Sequence, residues 1–431
     1  MDTGDTAWML ISTALVLLMT PGLAMFYGGM VRAKGVLNMM MMSFVSMGLV
    51  AVVWTLYGYS MTFGKDLGSG LIGDPTESFG LRDVIRPDAL FGTIPSSIFA
   101  VFQMMFAIIT VALISGAIAD RTKFGSWILF VIIWVTAVYF PVAHWVFDFD
   151  GKDAAGNVVD PGGWIANDLA AIDFAGGTAV HINAGIAALA LALVLGKRVG
   201  FGREPFKPHN LTLVMLGAAL LWFGWFGFNS GSAIAANATA GIVFLNTVVA
   251  TGAAMLAWLL VEKWRNGHAT SLGGASGIIA GLVAITPACS SVTPVGAMAI
   301  GAIASSACAI AVSLKYKVGY DDSLDVVGLH LVAGLIGSIF IGLFASAKAP
   351  AGVDGLFYGG GTELLIKQVI ASGAVLIYSF VVTYLIAVAI DKTIGFRIEK
   401  DDEISGIDLA IHAESSYEFG SQGATRGGYA S

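Results

Sequence analysis

Two histidines carry the most distinctive chemistry of this sequence, because each lies within an otherwise apolar stretch. His181 belongs to Asp173-Phe-Ala-Gly-Gly-Thr-Ala-Val-His-Ile-Asn, and His330 belongs to Asp325-Val-Val-Gly-Leu-His-Leu-Val-Ala-Gly. A charged side chain at the bilayer centre costs about 3 kcal/mol or more on insertion scales, so both imidazoles are expected to be neutral. One neutral imidazole can donate a hydrogen bond and the other can accept it. The pair therefore predicts a polar strip inside an apolar environment.

Other roles for these histidines are less favoured. Each could bond to backbone carbonyls and hold helices together, but their placement on corresponding apolar segments, the fifth and the tenth, argues against this. No third or fourth ligand lies near either histidine, so neither a metal nor another cofactor is expected. No nucleophile accompanies the histidines either, so we do not expect an enzyme.

Acidic residues precede both histidines. Asp173 and Asp325 stand where the two apolar segments begin, and an acid at a helix start interacts favourably with the helix dipole. Capping is therefore the simplest role for both and the preferred role for Asp325. Asp173 could also stabilise a cation held outside the segment.

Aromatic side chains form a third group of candidates. The sixth segment carries Trp222, Trp225 and Phe228, and Ser232 follows its end. An aromatic face attracts a cation with up to about 2 kcal/mol when desolvated, and a serine hydroxyl can accept a hydrogen bond. For the two tryptophans, ordinary helix packing is the preferred interpretation. The third segment places three phenylalanines on one face: Phe99, Phe102 and Phe106.

The composition places these residues in a membrane. Apolar residues make up 57% of the 431 residues and charged residues 12%, whereas soluble domains carry about 25% charged residues. Such a chain has too little polar surface to cover a soluble globule. The two cysteines, Cys289 and Cys308, lie in apolar stretches and are expected to be small core residues. We therefore predict an all-α integral membrane protein.

Eleven apolar segments are candidates for transmembrane helices. No basic residue precedes the first of them, so we interpret it as a true first helix and not as a cleaved signal peptide. The eighth segment is the shortest. The segments cover roughly 7–29, 36–63, 94–118, 126–147, 174–195, 211–230, 239–261, 273–286, 294–314, 326–347 and 368–390.

The basic residues predict the orientation of these helices. Sixteen of the 22 lysines and arginines lie in the loops after odd-numbered segments and in the tail. Cytoplasmic loops are enriched in these residues, so the amino terminus is expected outside and the carboxyl terminus inside. A membrane domain over residues 1–394 would then precede a cytoplasmic tail over residues 395–431.

The two histidine segments also suggest an internal repeat. If segments one to five and six to ten are two halves, the odd number of segments requires the second half to be inverted. Inverted repeats place a binding path near the bilayer midplane, between the halves. The sequence therefore predicts two inverted five-helix repeats and a final eleventh helix.

Taken together, these motifs resemble the ammonium transporter (Amt/Mep/Rh) family, and its bacterial and archaeal Amt branch in particular. The resemblance covers nearly the whole chain. Besides the two histidine stretches, it rests on Thr20-Pro-Gly-Leu-Ala-Met-Phe-Tyr-Gly-Gly, on Gly224-Trp-Phe-Gly-Phe-Asn-Ser-Gly-Ser and on Thr270-Ser-Leu-Gly-Gly-Ala-Ser-Gly. It implies a homotrimer in the cell membrane, in contact with lipid, with one pore in each subunit.

The resemblance also implies roles for individual residues. Phe106 and Phe228 would form a stacked phenyl gate, and His181 and His330 would be the twin histidines of the pore. An outer site would recruit ammonium with Ser232, Phe106 and Asp173.

One position departs from the family pattern. The family usually has a tryptophan in a Trp-Gly-Gly-Gly context soon after the fourth helix, as part of a cation cage. Here His144-Trp-Val-Phe-Asp is followed by about a dozen extra residues and then by Pro161-Gly-Gly-Trp. Phe147, Trp145 or Trp164 could complete the cage, and the sequence leaves this choice open.

The tail resembles the cytoplasmic regulatory segment of bacterial relatives, which packs under the trimer and is involved in regulation by PII signalling proteins. The alternative is a solvated acidic tail. Beyond Gly420 the Gly/Ser-rich end is expected to be disordered. The tail residues singled out by the resemblance are Arg397, Glu403, Gly406, Asp408 and Tyr417.

The implied activity is ammonium transport. Ammonium would be captured outside and deprotonated, and ammonia would pass the two histidines, with the proton moving separately. One alternative is a passive gas channel for ammonia or carbon dioxide of the Rh type. Another is a sensor of ammonium, and some such relatives carry a kinase or cyclase domain fused to the tail.

Overall fold

The computed structural model describes residues 1–417, and eleven apolar helices form its membrane region. Ten of the described helices are long and apolar enough to cross a membrane, and the eighth, with 15 residues, is shorter. The helical architecture is therefore confirmed, while eleven crossings and the orientation remain predictions. The expected disorder beyond Gly420 lies outside the described residues.

In chain order the helices are α1 Thr3–Met30, α2 Val36–Phe63, α3 Ser96–Ile118, α4 Phe124–Phe147, α5 Gly177–Leu195, α6 Leu211–Gly231, α7 Ala238–Asn266, α8 Ser271–Ile285, α9 Pro294–Val318, α10 Val327–Phe344 and α11 Glu363–Thr393.

The remaining elements are short and lie in the loops and the tail. Strands β1 Leu90–Phe91 and β2 Ile94–Pro95 form one antiparallel hairpin. Strands β3 Gly151–Lys152 and β4 Val158–Asp160 form a second hairpin in the extra residues between α4 and α5. Two short helices follow the membrane region, α12 Lys400–Ser405 and α13 Ile407–His412.

Local sequence signals begin and end several helices. The side chain of Asn210 accepts a hydrogen bond from the backbone nitrogen of Leu213 at 2.9 Å and so caps the start of α6. Such a bond satisfies one of the free N–H groups of a first helical turn. Gly267 and Gly319 end α7 and α9 with φ of +79° and +88°, a left-handed conformation that glycine adopts readily.

Glycines let the membrane helices approach one another closely. A β-carbon on Gly217 of α6 would lie 2.4 Å from the backbone nitrogen of Phe26 in α1, and one on Gly22 would lie 3.1 Å from Leu220. In lipid, small residues favour helix association because they allow such close backbone packing. The first and sixth helices, which correspond in the two predicted repeats, are therefore packed directly against each other.

The two histidine helices share an unusual beginning. Residues Gly177–Ile182 of α5 and Val327–Leu331 of α10 are π-helical turns, and each contains its histidine. A π turn inserts one extra residue into the helix and is frequent at functional sites. The shared local construction agrees with the two predicted repeats, whose inverted relationship remains a prediction.

The tail is packed against the loop between α3 and α4. The backbone nitrogen of Ile398 donates to the oxygen of Arg121 at 3.0 Å, and that of Lys123 donates to the oxygen of Phe396 at 3.0 Å. Phe396 and Ile407 are buried, with 0% and 2% of their surface exposed. A fully solvated tail is therefore wrong for these residues, because their apolar side chains are covered by the membrane domain.

Candidate functional site

The two histidines, 149 positions apart in sequence, lie side by side. Nδ1 of His181 and Nδ1 of His330 are 3.2 Å apart, and the two rings are inclined by 22°. Each neutral imidazole has one N–H group, so one ring donates this hydrogen bond and the other accepts it. Nε2 of His181 is buried and has no hydrogen-bond partner among the described residues. It is therefore available to a small guest with hydrogen-bonding capacity.

Glycines on both helices bring the two rings into contact. Gly185 of α5 packs against Leu331, and a β-carbon on Gly334 of α10 would lie 3.2 Å from the β-carbon of His181. Each glycine lies four residues after the histidine of its own helix and therefore faces the other histidine helix, as that histidine does.

Carboxylates accept hydrogen bonds at the start of both helices. Asp173 Oδ1 accepts from the backbone nitrogens of Gly176 and Gly177 at 2.8 and 2.7 Å, and Asp173 Oδ2 accepts from Thr178 N at 2.7 Å. Both oxygens are therefore occupied by fixed donors, and capping is the primary structural role of this side chain. Asp173 also lines a cavity of about 420 Å³ beside the start of α5.

The corresponding cap of α10 comes from a residue that the sequence did not single out. Asp322 accepts from the backbone nitrogens of Val326 and Val327 at 3.1 and 2.7 Å. The preferred capping role for Asp325 was therefore wrong. The carboxylate of Asp325 instead pairs with Nζ of Lys315 at 2.5 Å, and its backbone has a positive φ of 64°.

A narrow cavity runs along the histidine pair. It offers about 10 Å³ to the centre of a water-sized molecule, which is close to the minimum for holding one water. None of the described residues that line it has an acidic or a strongly basic side chain. Besides the two histidines, its lining includes Met19, Leu23, Phe26, Tyr27, Ile109, Leu113, Leu221, Trp225, Phe228, Ile279 and Leu329.

Trp225 belongs to this cavity, although the sequence favoured ordinary packing for it. Its ring stacks on His181 with centroids 5.4 Å apart and an angle of 18°. Its Nε1 donates to Oγ1 of Thr286 at 2.9 Å. The available signal was its spacing, because Trp225 precedes Phe228 by three residues and therefore shares its helix face. Trp222 does not line the cavity.

Two stacked phenyl rings close the outer end of the cavity. The ring centroids of Phe106 and Phe228 are 4.1 Å apart and the rings are inclined by 19°. Phe228 lines the inner cavity, whereas Phe106 lines the space outside it. The expected phenyl pair is therefore present as a contact between α3 and α6, and its role as a gate remains a prediction.

Outside the phenyl pair lies a vestibule of two adjoining cavities of about 120 and 420 Å³. Ser232 lines both, and its Oγ donates to the oxygen of Phe228 at 2.8 Å. The serine oxygen therefore keeps acceptor capacity for a guest. The smaller cavity is lined largely by phenylalanines: Phe91, Phe99, Phe106, Phe147, Phe149 and Phe174.

The structure separates the three aromatic candidates for the outer cage. Phe147 lines both vestibule cavities, and its ring meets that of Phe106 edge to face at 6.3 Å. Trp145 donates through Nε1 to the oxygen of Leu71 and packs against Trp164 at 5.9 Å. Neither tryptophan lines a vestibule cavity. Of the three candidates, Phe147 therefore lines the vestibule, while the two tryptophans pack against each other away from its lining, and a part for them in the recruitment site stays a prediction.

The five singled-out tail residues all contact loops of the membrane domain or one another. Glu403 is 1% exposed, pairs with Arg397 at 2.7 Å and accepts from the backbone nitrogen of Val199 at 2.6 Å. Asp408 accepts from the backbone nitrogens of Leu37 and Asn38 at 3.0 and 2.8 Å. The carboxylate of Asp408 therefore caps α2 from a distant part of the chain.

The other two tail residues fix the chain path. Gly406 has φ of +131°, and a β-carbon on it would lie 2.9 Å from the β-carbon of Lys34. The hydroxyl of Tyr417 lies 2.9 Å from Nε2 of His209. The tail is thus locked to the loops that follow α1 and α5.

Comparison with known proteins places this architecture in a family. The sequence model of the Ammonium Transporter Family matches residues 7–417. An ammonium transporter of Mycobacterium tuberculosis is 59% identical over 97% of this chain and 91% of its own. The ammonium transporter Amt1 of Archaeoglobus fulgidus is 43% identical over 97% of this chain and 100% of its own.

Solved structures agree with the sequence relatives. The crystal structure of Candida albicans Mep2 superposes with a TM-score of 0.83 at 35% identity, over 93% of this chain and 88% of its own. A structure described as a sensor Amt protein superposes with a TM-score of 0.84 at 29% identity, over 94% and 98%. This chain therefore belongs to the ammonium transporter family, whose members are transport proteins and not enzymes.

Proposed function

We propose that the protein captures ammonium in the outer vestibule, strips it of a proton at the phenyl pair and conducts ammonia past the two histidines. Ser232 offers a hydroxyl acceptor, Phe106 and Phe147 offer aromatic faces, and Asp173 supplies a nearby negative charge. Aromatic faces and carboxylates both attract a small cation. The vestibule is therefore suited to ammonium, while the inner cavity is suited to a neutral molecule.

The observation that carries this proposal is the uncharged, narrow cavity behind the phenyl pair. Transferring a bare cation into a low-dielectric interior costs tens of kcal/mol by Born estimates. A cation–π contact worth about 2 kcal/mol does not offset that cost. Transferring neutral ammonia costs only a few kcal/mol, the free energy of its lost hydrogen bonds to water. A hydrogen bond to the free Nε2 of His181 would offset this cost.

The cost of placing a cation in this cavity would also give selectivity for ammonium over potassium. Potassium matches ammonium in size but has no proton to lose, so it cannot enter the cavity as a neutral species. The proton left behind by ammonium would cross by a separate path, and each transported ammonium would then move one charge. A passive gas channel of the Rh type moves no net charge, and this difference makes the two functions separable.

The first test is the current across a supported membrane that carries the purified protein, on addition of ammonium and then of potassium. We expect a current with ammonium and none with potassium. A matched membrane without protein controls for leak. Ammonia flux detected by a pH dye in the absence of any current would instead indicate the gas channel and would overturn the proposed proton movement.

The assembly and regulation are proposed by analogy with the family. We propose a homotrimer in the plasma membrane with the amino terminus outside. The tail region 395–431 would then form a cytoplasmic platform for a PII signalling protein. Glu403 and Asp408 of the tail accept hydrogen bonds from the backbone of Val199 and Asn38 in the membrane domain, so a partner bound to the tail could act on the membrane helices. Co-purification of a PII protein with the full chain, and its loss with Asp408→Ala, would test this.

A further inference from the structure

We infer that the residues inserted between α4 and α5 supply a second aromatic group to the ammonium-recruitment site, namely Phe149. This inference rests on the proposed capture of ammonium in the vestibule. It concerns a residue in the stretch where the chain departs from the family's Trp-Gly-Gly-Gly pattern. Phe149 would act as a specificity-determining residue that contacts a small cation, together with Phe147.

The position of Phe149 is the first observation. It lines both vestibule cavities, as do Phe147, Phe174 and Ser232. The side chain therefore stands where the wide cavity that contains Asp173 meets the narrow cavity that leads to Phe106. A cation that moves from the carboxylate towards the phenyl pair passes the Phe149 ring.

The anchoring of the backbone on both sides is the second observation. The oxygen of Asp148 accepts from Gly163 N at 2.8 Å and from Nδ2 of Asn167 at 2.9 Å. The backbone nitrogen of Asp150 donates to Oδ1 of the same Asn167 at 3.0 Å, and Oδ1 of Asp150 accepts from Gly162 N at 3.0 Å. The backbone of Phe149 is thus held between two anchored residues, which keeps this side chain beside the two cavities that it lines.

The exposure of Phe149 is the third observation. It is 67% exposed, so it contributes little to a core, and a single exposed apolar side chain needs no special explanation by itself. Val159, in strand β4 of the hairpin that follows Phe149, is similarly exposed, at 65%, but lines neither cavity. What distinguishes Phe149 is an aromatic side chain that lines both vestibule cavities.

The chemistry sets the size of the expected effect. A cation–π contact at an exposed site contributes about 0.5–1 kcal/mol, which corresponds to roughly a twofold to fivefold change in affinity. The ring would attract ammonium and its methylated forms, because the negative face of an aromatic ring interacts with a monovalent cation. It would not help ammonia, so the maximal transport rate should change little.

The test compares Phe149→Leu, Phe149→Trp and Val159→Ala with the unaltered full-length protein. The readout is the ammonium concentration that equals the apparent Kd, obtained by fitting the rise in melting temperature against ammonium concentration, with sodium replacing ammonium to hold ionic strength constant. We expect Phe149→Leu to raise this concentration twofold to fivefold. Val159→Ala should leave this concentration unchanged. Phe149→Trp should leave it unchanged or lower it.

Three outcomes would overturn the inference. They are an unchanged concentration in Phe149→Leu, an equal increase in Val159→Ala, and no ammonium-dependent stabilisation of the unaltered protein. Because the readout is binding, it is independent of the transport proposal. Normal binding with no ammonium-specific flux would contradict the proposed function and leave the role of Phe149 standing.

Discussion

A β-carbon on Gly185 would lie 2.4 Å from the backbone nitrogen of Leu331, the residue that follows His330. The two histidine helices therefore touch at a point where no side chain fits. Since backbone atoms cannot move aside cheaply, any larger residue at position 185 must push α5 and α10 apart.

We therefore predict that Gly185→Ala reduces ammonium transport more than tenfold, because it separates the two imidazoles. The measurement is ammonium-driven current at matched protein density in the membrane. Gly48→Ala is the control, since a β-carbon on that helical glycine meets no atom within 4 Å. Unimpaired transport by Gly185→Ala would show that the close contact is not needed.

His181→Ala should abolish transport or the rejection of potassium. The substitution removes the free Nε2 and the 3.2 Å contact to His330, and it leaves room for water beside the phenyl pair. The measurement compares ammonium and potassium currents in one preparation. The exposed His268 provides the control substitution His268→Ala. Transport at an unchanged rate with intact potassium rejection would contradict a role for the histidine pair.

Breaking the ion pair between Arg198 and Asp321 should destabilise the protein strongly. Oδ1 and Oδ2 of Asp321 lie 2.9 and 3.0 Å from Nη2 and Nε of Arg198, and both side chains are nearly inaccessible to solvent. Burial alone would raise the pKa of Asp321, but the hydrogen bond and charge of Arg198 hold it below its ordinary value. Removing one partner of a buried pair costs about 3–5 kcal/mol.

Thermal denaturation of Arg198→Ala in detergent would measure this loss. Asp88→Asn is the matched control, because Asp88 pairs with Arg86 on the exposed surface, where an ion pair contributes little. Equal melting temperatures for Arg198→Ala and the unaltered protein would show that the pair does not stabilise the fold.

The free energy of unfolding should fall as pH rises from about 4 to about 8, because of Asp148. Burial, and then the charges of Asp160 and Asp66, raise the pKa of Asp148 to about 8, whereas an unfolded aspartate titrates near pH 3.9. Between these values the folded protein binds the proton more tightly than the unfolded chain. Its stability is therefore greatest at the acidic end and is lost as the carboxyl ionises. The carboxylate has a basic neighbour, since Nδ1 of His144 lies 3.4 Å from Oδ2 of Asp148.

Asp148→Asn should flatten this part of the pH profile of melting temperature. The exposed Asp168 offers the control Asp168→Asn, which should leave the slope in place. A slope that persists in Asp148→Asn would assign the pH dependence to another group.

The sequence alone determined the membrane setting and most of the candidate residues. A charged fraction of 12% excludes a soluble globule, and each long apolar segment fixes its own helix because backbone groups must be satisfied within it in lipid. Rare polar residues in such segments stand out, so His181, His330 and Asp173 were recognisable without a structure. A polar side chain in an apolar segment can be recognised from its neighbours in sequence alone.

The tertiary structure decided which residues share a space. It placed Phe147 in the vestibule and packed Trp145 and Trp164 together behind it, because the chain turns at Asp148 and hydrogen bonds to Gly163 fix its return. It also brought Trp225 to the histidine cavity. These outcomes depend on the path of the chain between helices and on contacts between residues far apart in sequence. No periodicity within a single segment encodes such contacts.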